Sequence, residues 1–133
     1  MLNYLHMALP QLSSAAELQN GKILLTFADG TRRLATDAEV LTAAQATKRT
    51  AIKAAARQVI LARYPEWMQA NLTARAVELV SLNELTGPEW QRMQSIWSWI
   101  KAVRAHSNLL EADVANCTTV KAVEGIVIGR WPD

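Results

Sequence analysis

Two prolines limit what this chain can fold into more than any other feature. Pro65 and Pro88 interrupt a long stretch whose apolar residues otherwise recur at helical spacing. A proline removes the backbone donor that a helix interior needs, yet it fits the first helical turn. Each of the two therefore ends one helix and opens another. Upstream, Thr36-Asp37-Ala38-Glu39 is a capping box, in which Thr36 caps and Glu39 reaches back. A first long helix runs from there to about Tyr64, with Leu41, Ala44, Ile52, Ala55, Val59 and Ile60 as its apolar stripe. Acidic residues in its first turn and Arg63 in its last suit the helix dipole. A second helix runs from Pro65 to about Asn83 on Met68, Leu72, Ala76 and Leu79. Thr86-Gly87-Pro88-Glu89 then gives a stop, a restart and a second capping pattern. The third helix runs from Pro88 to about Ser107 on Met93, Ile96, Ile100 and Val103, with Trp90 and Trp97 beside that stripe. The connection is short, so the last two helices are expected to be antiparallel neighbours.

The N-terminal third reads differently. Asn20-Gly21 and Asp29-Gly30 are turn dipeptides that tolerate positive φ. The second lies between two strand-like runs, which predicts a β-hairpin over residues 22–35. A lone hairpin is marginal, so it must pack on a helix or pair with another chain. Residues 1–20 are expected to form an extended arm. Met1 to Leu12 is apolar and uncharged, and Pro10 and Ser13-Ser14 favour an extended course. Such an arm either lies over the domain's own core or docks on another chain. Near the other end, Thr118 or Thr119 is placed to cap one more turn through Glu124, and Ile126-Val127-Ile128 reads as extended. The expected fold class is α+β, mainly α. It has an arm (1–20) and a single domain (21–133) made of the hairpin 22–35, a helical module 36–116 and a tail 117–133.

Composition narrows the chemistry. A net charge of +2, with both signs interspersed, is too weak to mark a nucleic-acid protein. Arg49, Lys53 and Arg57 lie four apart beside Lys48 on one helix face. They suit either phosphate contact or, more simply, a solvated face. Cys117 is the only cysteine, which rules out an intrachain disulfide and a cysteine zinc cluster. His6 and His106 are a thin supply for any metal site. The first twenty residues hold no Lys or Arg, which argues against a secretory signal. No apolar stretch nears the ~20 residues needed to span a bilayer, so the expected protein is soluble, or soluble once assembled, and contacts no membrane. His106-Ser107 with Glu111 does not specify a nucleophile, a base and an orienter together, and His106 reads as a surface residue near a helix end. The sequence thus points away from an enzyme, with no catalytic residue, no metal ligand and no cofactor. Trp90 and Trp97 read as core. Trp67 and Trp99 flank their stripes and suit a helix junction or a partner surface. The candidate partner-binding residues are Leu2, Tyr4, Leu5, Met7 and Leu9 in the arm, with Trp67 and Trp99.

The run Arg63-Tyr64-Pro65-Glu66-Trp67-Met68-Gln69-Ala70-Asn71 has the form Arg-Tyr-Pro-x-Trp-x-Gln-x-Asn. With Ala74-Arg75-Ala76-Val77-Glu78-Leu79 and Trp97 to Asn108, it resembles a segment of small tailed-bacteriophage and prophage proteins linked to tail fibres. The resemblance covers roughly residues 51–108 and leaves residues 1–20 unmatched. It implies a helical module with no catalytic residues to transfer. It also implies a non-enzymatic structural component of a tail fibre or tail tip, made in the host cytoplasm and located in the virion. The implied partners are tail-fibre or baseplate proteins, and by analogy with fibres a three-fold homo-oligomer. Two other expectations stand beside it. One is a tail-fibre assembly chaperone absent from the mature virion. The other is a nucleic-acid-binding helical protein that uses the basic face.

Overall fold

The computed structural model describes residues 2–133; Met1 and the Leu2 side chain lie outside the described residues. Among the described residues the fold is mainly helical with one small antiparallel sheet, the expected α+β class. Its elements are α1 (Leu2–Ala8), β1 (Leu12–Glu17), β2 (Ile23–Phe27), β3 (Arg32–Leu34), α2 (Asp37–Arg63), α3 (Glu66–Ser81), α4 (Pro88–Asn116) and α5 (Val120–Glu124). The chain divides into two compact units, Met1–Ala51 with Glu111–Val127, and Ile52–Leu110 with Ile128–Asp133.

The first unit holds the sheet, in strand order β1-β2-β3. β2 is central: Ala15 pairs with Leu25 on one side and Arg33 pairs with Leu25 on the other. The two turns are built alike. Gly21 donates to the Leu18 carbonyl and Gly30 to the Phe27 carbonyl, each at 2.9 Å. Both glycines have positive φ, +81° and +87°, a conformation a side chain disfavours. Asn20 Oδ1 accepts from the Lys22 N–H and Asp29 Oδ1 from the Thr31 N–H, both at 3.0 Å. The hydroxyl and backbone donors of Thr31 hold the Asp29 carboxyl below its ordinary range. Leu5, Leu12, Ile23, Leu25 and Ala43 form the buried cluster.

The extended arm expected over residues 1–20 is corrected in its first part, while its second part does take an extended course. Its first part is the helix α1, and its second part is strand β1 of the sheet, so the hairpin becomes a three-stranded meander. Leu5 is 1% exposed. The physical reason is that a two-stranded hairpin leaves one face of Ile23 and Leu25 uncovered, and the nearest apolar segment in sequence covers it.

The capping box at the start of α2 forms as expected. Glu39 N–H donates to Thr36 Oγ1 at 3.2 Å, and Thr36 N–H donates to Glu39 Oε1 at 2.9 Å. Arg33 adds a two-pronged ion pair to the same carboxylate, at 2.6 and 2.9 Å. Arg33 first, then the Thr36 donors, hold the Glu39 carboxyl down from 4.5 to about 2. A carboxyl depressed by folding stabilises the native state above its unfolded pKa, and that contribution is lost as pH falls through the folded value. Glu39→Gln should accordingly be less stable than wild type at neutral pH, with the gap closing as pH falls from about 4.5 towards about 2. Urea titrations across that pH range measure it; a gap that stays constant would contradict the pairing.

The far end of this unit is tied by side chains. Gln45 Nε2 donates to the carbonyls of Val114 and Cys117, at 3.2 and 3.1 Å. Thr119 is the cap of α5, accepting from the Ala122 N–H at 3.1 Å. Ile126–Ile128, expected to be extended, has no regular secondary structure.

The second unit is helical. Ala56, Ile60, Ile96, Ile100 and Val103 form its buried cluster, with Val59, Tyr64, Leu72, Trp99 and Trp131 packed against it. Pro65 caps α3, and its carbonyl accepts from the N–H groups of Met68 and Gln69, each at 3.0 Å. α3 ends where Asn83 takes positive φ, 56°, and the Glu84 N–H reaches back to the Leu79 carbonyl at 2.9 Å. This is a helix stop of the Schellman kind with Asn in the usual Gly place.

Three details differ from expectation. α4 extends to Asn116, nine residues beyond Ser107. The polar run His106-Ser107-Asn108 suggested an end, but Ser107 is buried and Val114 fully so, which carries the inward stripe onward. Thr86 makes no side-chain bond to the first turn of α4; Glu89, its expected partner in a box, is held instead by Arg75 of α3 at 2.7 and 3.1 Å. Trp97 is half-buried, not core. It follows Ile96 by one position, about 100° round the helix, and meets Trp90 edge-to-face at 5.8 Å.

Candidate protein-interaction surfaces

The Arg63–Asn71 run builds the corner between α2 and α3, and its residues divide by what they touch. The Arg63 guanidinium lies 4.5 Å from the Trp99 ring centre and 5.7 Å from that of Tyr64. Tyr64 meets Trp99 edge-on at 5.6 Å. Gln69 Nε2 donates to the Tyr64 carbonyl at 2.7 Å, closing the corner from the α3 side. Arg57 reaches forward to Glu66 at 2.7 Å. Arg63, Tyr64, Pro65, Glu66 and Gln69 are thus all engaged within the chain.

Trp99 belongs to the same internal set. Its indole N–H donates to the Pro132 carbonyl at 3.0 Å, so the C-terminal residues lie on it. His106 does likewise, 2.7 Å from the Gly129 carbonyl. A carbonyl can only accept, so Nε2 carries the proton. Trp131 stands edge-on to that imidazole at 5.2 Å. The structure therefore places His106 mid-helix and under the C-terminal segment, not at a helix end on the surface. Trp99, proposed from sequence as a partner residue, is a junction residue.

Trp67 and Asn71 are left over from the corner. Both are exposed and lie one turn apart on α3. Trp67 is 64% exposed, and Val77 and Val80 further along are 67% and 55% exposed. Ala70 and Ala74 fill the space between them and are also exposed. α3 thus has two apolar stripes. Leu72, Ala76 and Leu79 face inward, while Trp67, Ala70, Ala74 and Val77 face outward. The second stripe was readable in the sequence at the same helical spacing, but an amphipathic reading looks for one apolar face and stops there. Because Trp67 lies mostly in solvent, Trp67→Ala should leave stability within about 0.5 kcal/mol of wild type in a urea melt. A larger loss would mean that the indole packs internally.

The other sequence-proposed residues separate similarly. Tyr4 hydrogen-bonds Thr50 through its hydroxyl, Leu5 is buried, and Leu9 packs on the first unit's core. Met7 points outward at 76% exposure. Leu2 has no described side chain. On the basic face, Arg57 is held by Glu66, and Lys48 donates to the Glu124 carbonyl at 3.4 Å. Arg75 is raised above its ordinary range by Glu89 and Glu78 together.

A cleft of about 590 Å³ opens in the first unit, lined among others by Ile23, Leu34, Thr36, Val40, Leu41 and Thr119. Its lining mixes aliphatic side chains and hydroxyls with the charged Lys22 and Asp37. Among the described residues no group of three or more His, Cys, Asp or Glu is placed to hold a metal, and no helix is long and apolar enough to cross a membrane. Comparison with protein-family models, with curated proteins and with solved structures finds no match to this chain.

Proposed function

We propose that this chain is a non-enzymatic component of a bacteriophage tail, associated with the tail fibre or tail tip and acting through protein–protein contact. One observation carries the reading. In the run that resembles phage tail-fibre-linked proteins, Trp67 is left in solvent while its neighbours build the corner. A large exposed aromatic beside further exposed apolar residues is the kind of surface that protein partners cover. The partner proteins are fibre or baseplate subunits, and the site of action is the tail of the virion. A nucleic-acid role is the weaker reading, since Lys48 and Arg57 already have partners within the chain.

The test is quantitative mass spectrometry of purified tailed particles from a host that carries this sequence. A fixed copy number per particle supports the structural role. Presence on unassembled fibres but absence from particles supports an assembly chaperone that uses the same apolar face. Absence from both contradicts the tail reading.

A further inference from the structure

We infer that the outward face of α3 is a two-fold contact between copies of this chain. The inference rests on reading that face as a contact surface, as above, and makes a second copy its occupant in the free protein.

The first argument is the spacing. Trp67, Ala70, Ala74 and Val77 follow one another at intervals of three, four and three residues. That order is the same read from either end. In a two-fold interface the same patch meets itself, so each residue needs a fitting partner in the reversed sequence. Two α3 helices laid antiparallel bring Trp67 level with Val77 of the second copy, and Ala70 level with its Ala74. The bulky indole meets a medium aliphatic side chain at each end. The two alanine pairs in the centre let the backbones come close.

The second argument is electrostatic. None of the four residues on this line is charged, and the charged residues of α3 beside it, Glu66, Arg75 and Glu78, are each paired within their own chain. No like charge opposes itself at the centre of the reversed pair.

The third argument is area. The four residues of the line expose on the order of 400 Å² per copy, so a pair buries ~800 Å², the size of a weak, transient contact. That size fits a reversible dimer of micromolar affinity better than an obligate one. It also sets the stoichiometry. A self-matching patch closes at two copies, whereas the three-fold arrangement implied by the resemblance requires a head-to-tail surface.

Sedimentation velocity on the full-length protein over a dilution series tests this, with circular dichroism and melting temperature as folding controls. Wild type is expected as a dimer that dissociates on dilution through the micromolar range. Ala74→Glu enters the interface twice and should be monomeric throughout, with the melt of the dilute, monomeric wild type; Val77→Lys should behave the same way. A wild-type monomer at every concentration, a trimer, or a dimer that persists in both variants would overturn the inference. Loss of fold in both variants would also overturn it, because the face would then be internal. These outcomes are separate from the tail reading: a monomer found in particles removes the dimer alone, and a dimer missing from particles removes the tail role alone.

Discussion

Trp99→Ala should destabilise the protein by about 3–5 kcal/mol. The indole is a shared wall of the second unit. It packs against the cluster of Ile60, Ile96, Ile100 and Val103. It receives the Tyr64 edge and the Arg63 guanidinium from the helix corner, and its N–H holds the Pro132 carbonyl. Truncation opens a cavity and leaves the corner without its aromatic partner, and the C-terminal residues lose their anchor. The smaller change Trp99→Phe keeps most of the packing and loses the N–H bond, so about 1 kcal/mol is expected. Equilibrium urea unfolding measures both. A loss below about 1 kcal/mol for the alanine variant would show that the corner stands without the indole, because a half-buried ring with these contacts is expected to cost clearly more than that.

Leu5→Ala is the second large effect, at about 2–5 kcal/mol. Leu5 is packed with Leu12, Ile23, Leu25 and Ala43. Its neighbour Met7 is exposed, so Met7→Ala should change stability by no more than about 0.5 kcal/mol. Deleting residues 1–12 removes Leu5 and Leu12 from the same cluster and should cost more than Leu5→Ala alone. A truncated chain with the full wild-type melt would mean that the segment is dispensable for folding and acts as a free arm.

Local chemistry was readable in the sequence. The Thr36–Glu39 box, Pro65 at a helix start, the Asp29-Gly30 turn and the Thr119 cap each depend on a few adjacent residues, and each forms where expected. Elements that depend on distant packing were not. In α1 only Asn3 and His6 are plainly polar, so the inward Leu5 is hidden among Tyr4, Met7 and Ala8. Strand β1 carries small residues, Ser13 to Ala16, whose pairing is decided by β2 and not by their own propensity. The Asn20-Gly21 turn was the available signal, since it matches Asp29-Gly30 in chemistry and in observed geometry. The last turns of α4 follow from burial of Ser107 and Val114, which a polar-looking run concealed. Among the candidate contact residues, Trp67 and Trp99 look alike in sequence, both at the flank of a stripe. Only the tertiary position of Arg63, Tyr64 and Pro132 separates the internal one from the exposed one.

The most direct test of the central claim, that α3 meets partner molecules through its outward face, is site-specific photo-cross-linking during assembly. A photoreactive amino acid is placed at position 67, and in a parallel protein at position 7, where the side chain is at least as exposed. After irradiation in the producing host, the adducts are identified by mass spectrometry. The account predicts discrete adducts from position 67, with a second copy of the chain or with a tail subunit, and none of comparable yield from position 7. Adducts confined to position 7, with position 67 unreacted, would contradict it.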